Sequence, residues 1–281
     1  MEHRKIKVTL IGAGGKMGFR LSNNLKDHSN YETFYLEVSE MGLERMKSLK
    51  IHPSEDTQCI PKSDIVIYAV PDISIGKVTE QYVPMMKKGA IAIFLDPAAP
   101  LAGHLPDRAD ISFFASHPCH PSVFNWEPIE TDHYDYFGGI GAKQSIVCAL
   151  IQGPEEHYSM GEELAKVIYG PVTKSIKVTI EQMGILEPAL SETFCGAMIT
   201  VIKEGADVAV RKGVPKEAVY EFLKGHINIE LALLFNELPG GKFSDAAIKA
   251  IEIGKDKIFK KGWEEIFEPE SVKEQIQAIT K

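Results

Sequence analysis

The chain has 281 residues, 44% of them hydrophobic and 25% charged, and a net charge of −8, which suits one large or two ordinary globular domains. The acidic balance argues against nucleic acid or an anionic membrane as partner, because counterion release needs clustered Lys and Arg. No signal peptide precedes the first apolar run at Ile6, no uninterrupted apolar run reaches the ~18 residues of a bilayer crossing, and Cys59, Cys119, Cys148 and Cys195 form no C-x-x-C pair, so a cytoplasmic protein with mostly buried free thiols is expected.

Residues 7–11 have β character and run into Gly12, Gly14, Gly15 and Gly18, after which 19–25 reads as a helix. A strand that turns through glycines into a helix aims backbone N–H groups at an anion, as dinucleotide folds do with a pyrophosphate. Gly12, Gly14 and Gly18 give G-x-G-x-x-x-G, one residue longer than the standard fingerprint. Gly12, Gly15 and Gly18 give G-x-x-G-x-x-G, which is the preferred reading. Gly12, Ala13, Gly14, Gly15, Lys16, Met17 and Gly18 are therefore expected to bind the cofactor; the alternative is a glycine-rich turn in some other α/β protein. The second strand, 33–38, carries Glu37, 25 positions beyond Gly12, against ~20 for the acidic residue that grips the adenosine ribose. A carboxylate there favours NAD over NADP. A solvated strand-end glutamate is the plain alternative, and Lys16 in the loop works against the preference.

A helix over 41–49 and a polar connection over 53–61 follow. Residues 64–70 form an apolar run typical of a strand buried on both faces, so Val70, Pro71 and Asp72 beyond its carboxyl end should border the cofactor. A helix over 73–86 and a strand over 89–95, ending at Asp96-Pro97, continue the alternation of a Rossmann-type, doubly wound parallel sheet. A strand over 111–115 opens onto Ser116-His117-Pro118-Cys119-His120-Pro121, where two prolines predict a stiff loop. Residues 122–141 are aromatic and irregular, 144–151 resume the sheet, 155–169 is a helix and 172–178 the last strand. Only helices follow: 180–211, restarted or kinked at Glu187-Pro188, then 215–236 and 244–259. The expected division is a dinucleotide-binding domain, 1–178, and an all-α domain, 179–281, for substrate and dimerisation.

Oxidation of an alcohol needs a base and a polar grip on the substrate. His117 and His120 are the first candidates, as base or metal ligand, with scaffolding as the alternative. Cys119 between them is read as structural. Glu187 and Glu192 bracket Pro188-Ala189-Leu190-Ser191 in an apolar run; Glu187 has no basic residue at i+3 or i+4, which favours function. His226 and Glu230 share a helix face, as a surface pair or as part of a site. No G-x-S-x-G, H-E-x-x-H or Walker sequence is present.

The segments Ile11-Gly-Ala-Gly-Gly-Lys-Met-Gly18, Ala69-Val-Pro-Asp72, Ser116-His-Pro-Cys-His-Pro121 and Leu186-Glu-Pro-Ala-Leu190 together resemble the D-apionate oxidoisomerases over nearly the whole chain. The helical domain of that family is similar to the C-terminal domain of decarboxylating phosphogluconate dehydrogenase. The resemblance implies NAD as oxidant and chemistry related to ketol-acid reductoisomerase run towards oxidation: the 2-hydroxyl of D-apionate is oxidised, then a hydroxymethyl group shifts to give 3-oxo-isoapionate. Such a shift needs an electrophile on the ketone and a base on the neighbouring alcohol. A divalent metal, Zn or Mg, on His117 and Glu187 fits these roles, with His120 and Glu192 as further catalytic candidates. The loop is also similar to that of dihydrodipicolinate reductases, but their lysine-bearing catalytic segment has no counterpart here. A simpler NAD(P)-dependent hydroxyacid dehydrogenase, decarboxylating or not, is the alternative enzyme. A non-enzymatic NAD-sensing regulator would need a further module. The apolar helices after residue 178 predict a homodimer.

Overall fold

The computed structural model describes residues 4–280. Its first half alternates strand and helix: β1 (Ile6–Ile11), α1 (Lys16–Leu25), β2 (Tyr31–Leu36), α2 (Glu40–Ser48), α3 (Asp56–Cys59), β3 (Ile65–Tyr68), α4 (Asp72–Tyr82), β4 (Ile91–Phe94), α5 (Ala98–Leu101) and β5 (Ser112–Pro118). β6 (Gln144–Gln152), α6 (Glu155–Ile168) and β7 (Val172–Lys177) complete one seven-stranded sheet in the order β2-β1-β3-β4-β5-β6-β7. All neighbours are parallel except β5 and β6. A parallel return needs a crossover element, and the excursion between β5 and β6 holds only a 3-10 turn, Glu130–Tyr134. The chain therefore comes back antiparallel along the same strand, which is where the sheet departs from the all-parallel expectation.

The period of two along each strand feeds two apolar layers. Leu10, Ile67, Ile93 and Phe114 pack with Leu21 of α1 and Leu164 of α6, while Ile11, Val66, Phe94 and Phe113 pack with Ile75 and Val83 on the other face. β3 and β4 are buried at every position, as their unbroken apolar runs require. The polar connection expected over 53–61 contains α3 and a 3-10 turn, Ile60–Lys62, held by the buried Cys59 and Ile60.

After β7, a capping box of Thr179 and Gln182 starts α7 (Ile180–Gly184). The helix does not stop at Pro188. It widens into a π-helix, Ile185–Gly196, and narrows again into α8 (Ala197–Arg211). Proline cannot donate in an i→i−4 ladder, and the wider turn keeps the helix running past it. The run Ile180–Arg211 is thereby long and apolar enough, by length and composition, to cross a membrane. The expectation of no such stretch concerned uninterrupted apolar runs, whereas this helix reaches the length with Glu187 and Glu192 inside it. α9 (Lys216–Leu234), α10 (Asp245–Ile258), a 3-10 turn (Trp263–Phe267) and α11 (Pro269–Ile279) follow; the last two elements lie beyond the helices expected from the sequence.

Packing divides the chain after Pro188, and Lys273–Lys281 groups with the sheet rather than with the helical unit, Ala189–Val272. This differs from the division expected at 178, where the strands end. The reason is Met183 of α7, which is fully buried against Ala115, Val147 and Ala149 of the sheet. In the helical unit Phe194 stacks on Trp263 at 5.0 Å, yet Ile199, Phe222, Leu234, Phe235 and Ile258 are each more than 60% exposed.

Candidate functional site

The glycine turn sits beyond the carboxyl ends of β1 and β3, where the strand order reverses and doubly wound sheets bind their ligands. Gly12 has φ +78°, and a methyl group on it would lie 2.4 Å from the Ala69 carbonyl oxygen; one on Gly18 would lie 1.9 Å from the Gly12 carbonyl oxygen. A methyl on Gly14 would meet the Gly42 carbonyl oxygen at 2.1 Å, whereas one on Gly15 comes no closer than 3.2 Å to anything. The obligatory glycines are thus Gly12, Gly14 and Gly18, which corrects the preferred spacing. Gly15 instead stands at the N-cap of α1 and lines a cavity of about 640 Å³.

Glu37 lies just past β2 and faces this turn. Its Oε2 accepts from the Gly14 N–H at 2.8 Å, and its Oε1 accepts from the Val38 and Ser39 N–H groups and the Ser39 hydroxyl. Burial pushes its carboxyl up, but the Ser39, Gly14 and Val38 donors outweigh it and hold the group below the usual carboxylate range. Ser39 also caps α2 through the Gly42 N–H, and Arg45 donates to the Gly14 carbonyl at 3.2 Å. Gly15, Lys16, Met17, Val70, Pro71 and Asp72 line the cavity. Gly12, Ala13, Gly14 and Gly18 stand behind that wall, the Ala13 carbonyl accepting from the Ser22 hydroxyl at 2.9 Å.

The opposite wall carries Asp96, His117, His120 and Glu187. His117 is not on a loop. It belongs to β5, paired with Val147, because the antiparallel β6 extends the strand to Pro118. Its Nδ1–H donates to the Leu95 carbonyl at 2.7 Å, which leaves Nε2 as the lone-pair nitrogen, 3.7 Å from Glu187 Oε1. Burial lowers the His117 pKa against the opposing pull of Asp96 and the Leu95 carbonyl, so the ring is neutral at pH 7. Asp96 lies two residues past β4, and its Oδ1 accepts from the Ala98 N–H at 2.7 Å. Burial raises its pKa, opposed by the Ala98 N–H and by His117. One donor atom each from Asp96, His117 and Glu187 lie within 4.8 Å of one another. Two oxygens about 2.4 Å from one calcium-sized ion stand between about 3.4 and 4.8 Å apart, so the cluster has the dimensions of a cation site.

Asp96 escaped the reading of the sequence as a site residue. The signal was present: it follows an apolar strand as Asp72 does. His120 does lie on the turn, with φ +60° in the left-handed region. Its Nδ1–H donates to the Phe137 carbonyl at 2.8 Å, and its ring meets that of His117 edge-on with centroids 6.1 Å apart. Phe137, unpredicted, lines the cavity, and the Arg20 guanidinium sits 4.9 Å from its ring centre. Glu192 belongs to the helical unit, is exposed, and does not line this cavity. His226 stacks on Phe222 and donates to its carbonyl. Cys119 is exposed, as is Cys195, so only Cys59 and Cys148 are the buried thiols expected.

A protein from Cupriavidus necator named D-apionate oxidoisomerase is 49% identical to this chain over 277 residues, covering 98% of this chain and 100% of its own length. Another of that name from Rhizobium rhizogenes is 46% identical over 279 residues, covering 97% and 99%. The chain belongs to the D-apionate oxidoisomerase family. Residues 125–280 match the family described as phosphogluconate dehydrogenase (decarboxylating), C-terminal. That match begins inside the excursion between β5 and β6 and takes in the last two strands with all the later helices. A crystal structure from Cupriavidus necator, described as a semialdehyde dehydrogenase NAD-binding protein in complex with calcium and NAD, superposes with a TM-score of 0.96 at 48% identity, covering 99% of this chain and 100% of that one. The Rossmann-type sheet followed by a helical C-terminal domain is the fold of this D-apionate oxidoisomerase family member.

Proposed function

We propose that this NAD-dependent oxidoreductase oxidises D-apionate at its 2-hydroxyl and then shifts a hydroxymethyl group from C3 to C2, giving 3-oxo-isoapionate. The observation that carries the reading is the cluster of Asp96, His117 and Glu187 on the cavity wall facing the glycine turn. A plain dehydrogenase needs one base; a carbon shift onto a ketone also needs that ketone polarised.

Residues at the turn fit NAD. The N-terminus of α1 offers unpaired N–H groups to a pyrophosphate, and the ionised Glu37 beside Gly14 disfavours a 2′-phosphate there. NAD, when bound, supplies the hydride acceptor. Two carboxylates and a neutral imidazole also fit a divalent cation, which would offset their negative charge and supply Lewis acidity at the C2 oxygen. Oxygen-rich donors with one imidazole suit Mg or Ca at least as well as Zn, and no thiol belongs to the cluster. The calcium and NAD in the Cupriavidus necator structure support this choice. His117, fixed by the Leu95 carbonyl, holds its Nε2 toward the cluster, while Asp96 is oriented by the Ala98 N–H.

The experiment is NADH absorbance with D-apionate and NAD, followed by NMR of the product. Stoichiometric NADH with 3-oxo-isoapionate is expected. An unrearranged or decarboxylated keto acid would make the protein a simpler hydroxyacid dehydrogenase, and no NADH at all would overturn the substrate.

We also infer a homodimer in which a second copy covers the apolar helix faces around Phe222 and Phe235, supported by their exposure in so small a helical unit. Sedimentation at micromolar concentration should give twice the chain mass; a monomer overturns this. The four free cysteines support a cytoplasmic setting.

A further inference from the structure

Two imidazoles line the cavity, and both are held in the same way. His117 donates Nδ1–H to the Leu95 carbonyl, and His120 donates Nδ1–H to the Phe137 carbonyl. In each ring the lone pair must therefore sit on Nε2. The two rings differ in what Nε2 meets. That of His117 is 3.7 Å from Glu187 and belongs to the carboxylate cluster, so it is committed to that cluster. His120 is outside the cluster, 6.1 Å away between ring centres.

His120 is also held at some cost. Its φ of +60° is uncommon for a residue other than glycine, and such backbone persists only where the surroundings enforce it. Here Phe137 and Arg20 do so. The Phe137 carbonyl fixes Nδ1, the Phe137 ring lies edge-on at 5.9 Å, and Arg20 covers the Phe137 ring. Two other segments, Phe137 directly and Arg20 through it, thus orient one imidazole. Scaffolding alone does not call for that arrangement, because asparagine or glycine adopts the same backbone more easily.

We propose that His120 is the proton-accepting catalytic residue, while His117 serves the cation cluster. This rests on the oxidation and rearrangement proposed above. In the oxidation, the C2–H bond breaks and its electron pair passes to the nicotinamide ring. The C2 O–H proton goes to His120 Nε2, and C2–O becomes the ketone. His120 is partly exposed and returns that proton to water. In the rearrangement, His120 Nε2 takes the C3 O–H proton. The bond from C3 to the hydroxymethyl carbon breaks, and its pair forms the new bond to C2. C3–O becomes the ketone, and the C2 oxygen, now carrying the negative charge, takes the proton back from Nε2. The two oxygens are on adjacent carbons, so one imidazole reaches both.

The test uses His120→Asn, which tolerates the left-handed backbone, and His120→Gly as a second variant. Expected are a melting temperature within a few degrees of wild type, unchanged Mg or Ca affinity by calorimetry, and NADH formation slower by ~10²-fold or more. Added imidazole should restore part of the rate to His120→Gly. His120→Asn turning over within a few-fold of wild type overturns the assignment. So does loss of cation affinity, which would make His120 a ligand. If wild type yields only unrearranged keto acid, the rearrangement reading fails, yet the NADH readout still decides whether His120 takes the C2 proton.

Discussion

The two walls of the cavity are built in opposite ways. Behind the glycine-turn wall lies the Glu37 carboxylate, and four hydrogen bonds from Gly14, Val38 and Ser39 keep it ionised with its pKa lowered despite partial burial. On the facing wall the carboxylate Asp96 has its pKa raised by burial, while burial also makes the neighbouring His117 neutral. The protein thus satisfies the charge of the carboxylate beside the glycine turn and raises the pKa of one on the cavity wall. Divergent environments of this sort mark a division of roles. In the proposed function the glycine turn takes the ribose and pyrophosphate of NAD, and the facing wall takes a cation and a reacting oxygen.

The largest effect should come from the second wall. His117→Ala is expected to lose ~10²-fold or more in kcat and at least tenfold in Mg or Ca affinity, with the melting temperature within a few degrees of wild type. A variant that unfolds instead would make His117 a scaffold residue of β5 and erase the contrast. On the first wall, Gly18→Ala forces a methyl against the Gly12 carbonyl. Overpacking of this kind costs about 1–3 kcal/mol, so a lower melting temperature together with weaker NAD binding by calorimetry is expected; unchanged NAD affinity would show that the turn does not hold the pyrophosphate. Glu37→Gln keeps an acceptor for the Gly14 N–H but removes the charge. The ratio of kcat/KM for NAD over NADP should fall on the order of tenfold, as like-charge repulsion is relieved. An unchanged ratio would place the discrimination on Lys16 or Arg45.

The smallest effect lies away from both walls and calibrates them. Asp64 accepts from the Lys7 N–H and pairs with Lys87 at 2.5 Å. Burial pushes its carboxyl up, but the Lys87 and Lys7 hydrogen bonds outweigh that and lower its pKa. A lowered folded-state pKa gives stability that is present above the unfolded value of about 3.9 and lost as pH falls through the folded value. Asp64→Asn should therefore cost about 1 kcal/mol at pH 7, and the difference from wild type in thermal melts should shrink as pH falls through and below the lowered folded-state value. A difference independent of pH would mean that packing, not charge, is lost.

The contrast between the walls also explains what the sequence made legible. The turn from Gly12 to Gly18 is contiguous, and Glu37 comes one strand later, so periodicity and spacing reach all of it. The steric detail was not legible: whether Gly14 or Gly15 is obligatory depends on Gly42 of α2. The second wall is assembled from the turn after β4, the carboxyl end of an extended β5 and the start of a π-helix. His117 and Glu187 were singled out by chemistry alone. Asp96 follows an apolar strand as Asp72 does, but its membership of the cluster comes from donors 21 and 91 positions further along the chain, which no local pattern reaches. The antiparallel β6 was illegible because an apolar strand reads the same in either direction. The π-helix was illegible because Pro188 predicts a break, whereas a widened turn also accommodates it.

The central claim is that the Asp96–His117–Glu187 cluster holds a divalent cation on which the rearrangement depends. The most direct test is product analysis by NMR for chelator-treated enzyme, with D-apionate and NAD, before and after Mg or Ca is restored. The account predicts that the treated enzyme forms rearranged product at least ~10²-fold more slowly, that the restored cation recovers the rate, and that Asp96→Asn does not recover with it. Rearranged product at full rate from cation-free enzyme would contradict the account and leave hydrogen bonds from His117 and His120 to polarise the ketone.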